Sequence, residues 1–259
     1  MSDGAERQRE HFNAIAERYL SGRSHDNHLE YKAVTWEHIC SKLLEYLPAG
    51  KTLAGIEAMC GDAEASRRII TLLPDMRMDA FDVSDQMISS SPQGGKSGIT
   101  LFREDIFNFK AEEKYDFAMI IGGLHHIPHA TQAGLNTIYA ALKPGGIFLN
   151  LEPTHNNFIF SKVRERIYKK NDIFDEISER AFTLGSYNEL LAGAGFKVLY
   201  QLYPGLLGYV MYYNPDAFPA LNLGKPWLAR LLAKSDLWLG RTPIGTFFSF
   251  ATWTIARKG

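Results

Sequence analysis

The 259-residue sequence has little of several features that would indicate a particular class of protein. Its two cysteines, Cys40 and Cys60, are too few for a disulfide framework or a cysteine-rich zinc site. Its formal net charge of -1 gives no general basic field, so we do not expect nucleic acid as a partner. No apolar run approaches the roughly 20 residues of a transmembrane helix. The charged N-terminal residues lack the apolar segment of a signal peptide, so we expect a cytoplasmic protein.

The sequence does contain a strand-turn-helix pattern at residues 51–68. A short apolar segment leads to Glu57, the turn 59–63 follows, and a helix-forming run comes next. A helix that begins at such a turn presents unpaired backbone N–H groups and the positive end of its dipole. The pattern therefore predicts a site for an anion or a nucleotide. It is not the G-x-G-x-x-G pattern of dinucleotide-binding proteins, because the turn contains only Gly61.

Polar residues or glycines follow three further predicted strands. Met76–Asp82 reads as a strand that ends in a carboxylate, at a spacing typical of the acid that binds ribose hydroxyls in Rossmann-like units. Asp105 and Ile106 follow the next strand. The nearly continuous apolar run 115–121 predicts a central parallel strand, and Gly-Gly-Leu-His-His-Ile-Pro begins directly after it at Gly122. The polar groups of all these strands are thus expected at one edge of a sheet.

Each of these polar residues also has a purely structural interpretation. Asp82 is compatible with a helix cap or a surface acid, and Asp105 with a loop acid. His125, His126 and His129 are compatible with loop-capping hydrogen bonds or with a metal site. No carboxylate or thiolate at regular spacing completes a ligand set, and a proline interrupts the helix, so we predict no metal. We favour a general base, because imidazole titrates near neutral pH.

Taken in order, these motifs resemble those of the class I S-adenosylmethionine-dependent methyltransferases that act on small molecules. The resemblance covers residues 10–152 well and the final strands more loosely. Two of the three glycines of the family's first motif are absent, so we expect the turn either to avoid positive φ at Met59 or to be strained there. The sequences that carry the resemblance are Glu57–Ala63, Asp-x-Ser-x-x-Met at 82–87, Asp105-Ile106, Leu-His-His-x-Pro at 124–128 and Leu-Lys-Pro-Gly-Gly at 142–146.

The resemblance implies an α/β fold, a Rossmann-like three-layer α/β/α sandwich. Its seven-stranded, mostly parallel sheet would have the strand order 3-2-1-4-5-7-6 and an antiparallel last strand, which we predict at Gly245–Arg257. For the segment 204–243, the alternatives to a substrate lid are a homodimer interface and a membrane contact. We expect a single domain over 1–259, with N-terminal cap helices at 1–48, a cofactor-binding core at 49–152 and helical substrate-lid insertions at 153–184 and 204–243.

The resemblance also implies S-adenosylmethionine as the cofactor and S-adenosylhomocysteine as its product. The acids of the second and third strands would bind the ribose and the adenine, and the glycines after the fourth strand would lie against the methionine end. Tyr19 would close over the cofactor, although a half-buried core aromatic is an equally good interpretation. The expected cofactor-binding residues are Tyr19, Glu57, Ala58, Met59, Cys60, Gly61, Ala63, Asp82, Val83, Met87, Asp105, Ile106, Gly122 and Gly123.

The implied reaction is in-line transfer of a methyl group to a small, partly apolar acceptor through oxygen, nitrogen or carbon. The candidate catalytic residues are His126, His125, His155 and Glu152. Two alternatives are a protein that binds S-adenosylmethionine without methylating, such as a cyclase or a scaffold, and an NAD-dependent oxidoreductase. The oxidoreductase would share the fold, but the first turn lacks its glycines.

Overall fold

The computed structural model describes residues 3–92, 98–157, 181–215 and 218–259, together with the single residues 162 and 166. The side chain of Tyr19 and most of the predicted insertion 153–184 lie outside the described part. The role predicted for each therefore stays a prediction.

A mostly parallel sheet lies at the centre of the fold. Its strand order is β3-β2-β1-β4-β5-β8-β7, and β6 pairs with β5 beside this path. The β8 strand runs antiparallel to both β5 and β7. This confirms the predicted fold class, to which the structure adds the two-residue β6. The strands are β1 (Leu53–Ala58), β2 (Met76–Asp82), β3 (Ile99–Arg103), β4 (Tyr115–Ile121), β5 (Leu142–His155), β6 (Phe182–Thr183), β7 (Phe196–Leu202) and β8 (Ala251–Lys258).

Helices cover both faces of the sheet. They are α1 (Asp3–Arg23), α2 (Asp26–Leu43), α3 (Glu64–Leu72), α4 (Asp85–Ser89), α5 (Thr131–Ala141), α6 (Leu184–Gly193), α7 (Leu207–Tyr212), α8 (Pro226–Leu239) and α9 (Pro243–Phe248), with short 3-10 turns at Leu124–His126 and Pro219–Leu221.

The β4 strand shows why the fold has three layers. All of its residues except the last are buried, as expected for a parallel strand covered on both faces. Phe117 belongs to the hydrophobic cluster that includes residues of α2, α3 and α8. Its neighbour Ala118 belongs to a second cluster, with residues of α5 and α6. Successive side chains of the strand thus enter two separate cores.

The predicted start of the last strand was wrong. Residues Gly245 to Phe248 lie in α9, and β8 begins only at Ala251. The helix begins here because Pro243 occupies its first turn and the Thr242 hydroxyl accepts a hydrogen bond from the Gly245 N–H. The local capping signal therefore overrides the strand preference of the Phe-rich sequence.

The predicted insertion 204–243 packs against the N-terminal helix α2. Asp236 of α8 is buried, and its Oδ2 accepts hydrogen bonds from the Tyr31 hydroxyl (3.1 Å) and the Tyr209 N–H (2.8 Å). Burial raises the pKa of Asp236 to about 6, against the opposing effect of these hydrogen bonds. In addition, the Trp36 ring of α2 meets the Trp253 ring of β8 edge-on, with 5.2 Å between their centroids.

The described part of the chain contains no helix that is both long and apolar enough to pass through a bilayer.

Asp236 makes the stability of the fold depend on pH. Its pKa is raised from 3.8 to about 6, so the folded protein binds the proton more tightly than the unfolded chain. The free energy of unfolding should therefore fall as pH rises from about 4 to about 6, by roughly 3 kcal/mol from this group. The Asp236→Asn variant has no titratable group at this position, so its free energy of unfolding should lack this dependence on pH. Urea unfolding of both proteins at the two pH values tests it; an equal change in both would contradict the assignment.

Candidate active site

The turn after β1 has an unusual backbone conformation. Met59, Gly61 and Ala63 have φ values of 56°, 57° and 59°, in the left-handed region. The strained alternative from the sequence is therefore the observed one, since an L-residue costs about 1–2 kcal/mol in this region. Neighbouring hydrogen bonds hold the turn, because the Cys60 N–H donates to the Phe81 carbonyl (3.0 Å). Strain of this kind is typical of binding sites.

Glu57 connects the end of β1 to the first turn of α3. Its side chain is buried, and its Oε2 accepts hydrogen bonds from the Ser66 N–H (2.9 Å) and the Ser66 hydroxyl (2.5 Å). Burial raises the pKa of Glu57 to about 8. The carboxyl group thus fixes the position at which α3 begins over the strand.

Asp82 joins the ends of β1 and β2. Its Oδ2 accepts a hydrogen bond from the Gly61 N–H (2.8 Å), and its Oδ1 accepts one from the Ser84 N–H (2.9 Å). Burial raises the pKa of Asp82, and the two backbone donors oppose this effect. A carboxylate offers about four acceptor positions, so Asp82 retains acceptor capacity for ligand hydroxyls. Val83 follows it, and the buried Met87 lies next to Gly61.

The third strand leads into the loop that contains Asp105 and Ile106. Both residues are buried, and the Asp105 Oδ1 accepts a hydrogen bond from the Phe107 N–H (3.0 Å). Beneath this loop the rings of Phe81 and Phe109 stack with 4.6 Å between their centroids. The loop therefore has a rigid apolar support.

The glycines after β4 lie directly against the turn after β1. Gly122 has a φ of 68°, and its N–H donates to the Leu151 carbonyl (2.7 Å). A Cβ atom added to Gly123 would lie 3.0 Å from the Met59 Cβ and 2.7 Å from the Ile120 Cγ2. The strand order reverses between β1 and β4, and ligands of open α/β sheets bind at such a reversal.

A buried carboxyl group holds the loop after β4. The Glu152 side chain is fully buried, and its Oε1 accepts hydrogen bonds from the N–H groups of Gly123 (3.2 Å) and Leu124 (2.9 Å) and from the Asn150 amide (3.1 Å). Its Oε2 accepts one from the His125 N–H (3.3 Å). Burial raises the pKa of Glu152 to about 7, although these donors favour the ionised form.

The same carboxyl group orients a histidine ring. The Nδ1 atom of His125 lies 2.9 Å from the Glu152 Oε2, so the carboxyl group fixes the orientation of the ring. The His125 side chain is 11% exposed, whereas that of Glu152 is 0% exposed. The His126 ring adjoins it, with 4.0 Å between the ring centroids. His155, the last residue of β5, lies at the same edge of the sheet.

Within the part of the chain that the structure describes, no three His, Cys, Asp or Glu side chains converge as metal ligands would.

The sequence interpretation missed the polar residues that support the site. Besides Ser66, they include Asn13 of α1, whose Oδ1 accepts a hydrogen bond from the Ser84 hydroxyl (2.6 Å), and Tyr187, whose hydroxyl donates to the Asn150 Oδ1 (2.5 Å). Asn150 carried a signal, because a polar residue inside an apolar strand needs a buried hydrogen-bond partner. The other three carried none that a local pattern would reveal.

Comparison with known proteins shows what the central part of the chain resembles. Residues 56–148, which run from β1 into β5, match a family described as "Methyltransferase domain". This match covers less than half of the chain, so it shows a similarity to methyltransferases in the part that holds the candidate site. The matched range contains the β1 turn, Asp82, Asp105 and the glycines after β4. It ends before Glu152 and His155.

Individual relatives are distant. Malonyl-[acyl-carrier protein] O-methyltransferase 1 of Ilyobacter polytropus is 24% identical over 127 residues, which make up 48% of this chain and 46% of the relative. The chain thus spans about half the length of the curated relatives it matches.

Two solved structures show the similarity of fold. One is an S-adenosylmethionine-dependent methyltransferase from Thermotoga maritima, with a TM-score of 0.59, 17% identity and coverage of 96% of this chain and 99% of the other. The [4+2]-cyclase SpnF has a TM-score of 0.60, 15% identity and coverage of 86% and 80%. At these identities the likeness concerns the fold.

The residues of this site fit S-adenosylmethionine, the cofactor that the resemblance implies. Asp82 offers acceptor positions for ribose hydroxyls, and the Gly122 backbone can approach a ligand without a side chain between them. Ile106 and Met87 supply buried apolar surface beside these polar groups. The individual contacts remain predictions.

The strained turn allows a test of the backbone conformation. Ala63→Gly removes a buried methyl group and adds freedom to the unfolded chain, but it also relieves the left-handed strain, so the free energy of unfolding should change by less than about 0.5 kcal/mol. The control Ala65→Gly makes the same change at a buried position inside α3, where it should cost about 1.5–2 kcal/mol. Chemical unfolding compares the two; equal losses would show that Ala63 is not strained.

Proposed function

We propose that this protein binds S-adenosylmethionine at the reversal point between β1 and β4 and transfers its methyl group to a small, partly apolar acceptor. The observation that carries the proposal is the joining of three strand ends at one place. Asp82 bonds to the turn after β1, and that turn packs against Gly123 of the loop after β4. A histidine-carboxylate pair borders the same loop.

In this proposal the chain's own residues would bind the cofactor, orient the acceptor and remove a proton from it. The cofactor supplies, when bound, a methyl group that its sulfonium has already activated. Asp82 and Asp105 would hold the adenosine part, while Gly122 and Gly123 would let the remainder lie close to the backbone. His125 would accept a proton at Nε2 from the acceptor as its nucleophilic atom approaches the methyl carbon.

Glu152 would act as a positioning residue in this scheme. Its oxygen atoms accept hydrogen bonds from three backbone N–H groups, from Asn150 and from His125, and its side chain has no exposed surface. It therefore cannot reach an acceptor itself. What it can do is hold the His125 ring in one orientation and favour the protonated ring that forms during the reaction.

The observed turn bears on the two alternatives. Met59 and Ala63 adopt the left-handed conformation that glycines adopt readily, so the turn keeps a glycine-like backbone despite its side chains. The argument for a non-methylating protein, which rested on the missing glycines of this turn, is thereby weakened. The turn contains only one of the glycines of a dinucleotide-binding turn, which disfavours an oxidoreductase.

Calorimetric titration tests the cofactor. S-adenosylmethionine and S-adenosylhomocysteine should both bind the purified protein, and NAD should not. Asp82→Asn should weaken binding of both by roughly tenfold or more, because a charge-assisted bond to a ribose hydroxyl is lost. Asp79→Asn makes the same change three residues earlier in β2 and should leave affinity unchanged. Binding of NAD, or no binding of either sulfur compound by folded protein, would refute the proposal.

Release of S-adenosylhomocysteine in the presence of candidate acceptors, including malonyl thioesters, tests the histidine. His125→Ala should lower kcat by about 100-fold or more while cofactor affinity stays nearly constant. His129→Ala, an exposed residue of the same loop, is the control. Glu152→Gln should lower kcat with little change in cofactor affinity, because the ring loses the carboxyl group that orients it. A wild-type rate in His125→Ala would exclude His125 as the base.

A further inference from the structure

Helix α8 exposes a stripe of apolar and basic side chains. Trp227, Leu231 and Trp238 are 65%, 55% and 69% exposed, and Lys234 is exposed between them. At about 100° per residue, these four positions fall within about 60° of one another around the helix axis. We call this stripe of four residues the apolar-basic face.

The opposite side of α8 packs against the rest of the fold. Ala229, Ala233 and Asp236 are buried there, and Asp236 bonds to Tyr31 of α2. The helix therefore has a fixed orientation and presents the apolar-basic face outward. A water-soluble surface seldom carries two tryptophans and a leucine in one stripe without a binding role.

The exposed apolar surface continues into α9. This helix contacts α8, and its Ile244 and Phe247 are 53% and 51% exposed. It lies at the edge of the sheet that carries the candidate site, because the Asn157 amide after β5 donates to the Phe247 carbonyl (2.7 Å). The neighbouring Asn156 amide donates to the Thr246 carbonyl.

The segment that carries this surface is predominantly basic. Between residues 218 and 250 the basic side chains are those of Lys225, Arg230, Lys234 and Arg241, and the one acid, Asp236, is buried. Arg230 also pairs with Glu30 of α2. The whole chain has a net charge of -1, so these cations form a local excess.

We propose that the apolar-basic face of α8 docks on the surface of an anionic lipid bilayer. Indole rings favour the boundary between headgroups and acyl chains, and lysine extends its ammonium group to anionic headgroups while its methylenes stay in apolar surroundings. The helix would lie in the plane of the interface, with Asp236 and the rest of the fold on the water side. The neighbouring basic residues add long-range attraction to the same surface.

Charge distinguishes this occupant from a second copy of the chain. A symmetric dimer through the apolar-basic face would bring each Lys234 close to the stripe of the other copy, which carries the same sign. An anionic bilayer instead complements the cations and the apolar side chains together. The docking does not depend on methyl transfer, so its test is separate from that of the proposed function.

The tryptophans provide the measurement. The chain has four, and Trp36 and Trp253 are buried, so a change in emission reports on Trp227 and Trp238. Vesicles of phosphatidylcholine with phosphatidylglycerol should shift the emission to the blue and carry the protein down on centrifugation. Vesicles of phosphatidylcholine alone should do so much less. High salt should weaken binding to the anionic vesicles.

Substitutions test whether the apolar-basic face is the surface that binds the vesicles. Lys234→Gln should weaken partitioning into anionic vesicles about fivefold. Trp227→Ser combined with Trp238→Ser should weaken it by at least about tenfold in the centrifugation assay. Lys197→Gln, an exposed lysine of β7, is the matched control and should bind like the wild type. Circular dichroism should show that all of them are folded.

Several outcomes would overturn the proposal. They are failure to bind anionic vesicles, equal binding to neutral ones, and equal loss of binding in Lys197→Gln. A dimer seen by light scattering without lipid, and dissociated by the double tryptophan substitution, would identify the second copy as the occupant. Binding to an acidic protein that persists while vesicle binding is absent would identify a protein partner.

Discussion

The buried carboxyl group of Glu152 is the constraint on which the candidate site depends. A carboxyl group without exposed surface is costly to bury unless its oxygens are hydrogen-bonded, and here the loop after β4 supplies the donors. The loop is thereby fixed against the end of β5, and Gly123 is held where it meets the turn after β1. The orientation of His125 follows from the same contact. One side chain thus determines both the backbone and the ring that face the cleft.

The architecture was predictable because its signals are local and repeated. The apolar run of β4 leaves few alternatives to a central parallel strand, and the resemblance carried by the motifs implied the order of the strands. The start of β8 was not predictable in the same way. At Gly245–Phe248 aromatic strand formers compete with the helix cap at Thr242-Pro243, and the cap prevails although the aromatic composition favours a strand.

The candidate site was predictable only in part. The structure brings Asp82, Asp105 and the glycines to one edge of the sheet, as expected for the carboxyl ends of parallel strands, and their role in binding stays a prediction. Their partners were not predictable, since Asn13 meets Ser84 across 71 positions of sequence and Ser66 looks like an ordinary helical serine. Even the strain at Met59 was an open question until its φ was known, because the sequence permitted two backbone solutions. The partners of these residues and the backbone conformation at Met59 depend on tertiary contacts, which a local sequence pattern does not reveal.

Helix α8 of the segment 204–243 has two different sides, one packed against the rest of the fold and one exposed to solvent. The buried side cannot move far, because the buried Asp236 carboxyl group would lose the hydrogen bonds that it accepts from Tyr31 and Tyr209. A lid motion in this segment would therefore have to take place outside α8. The other side of α8 carries Trp227 and Trp238, which are largely exposed in the part of the chain that the structure describes. A helix that is fixed on one side and apolar on the other is suited to hold a protein at a surface, so anchorage rather than closure is the role its structure favours.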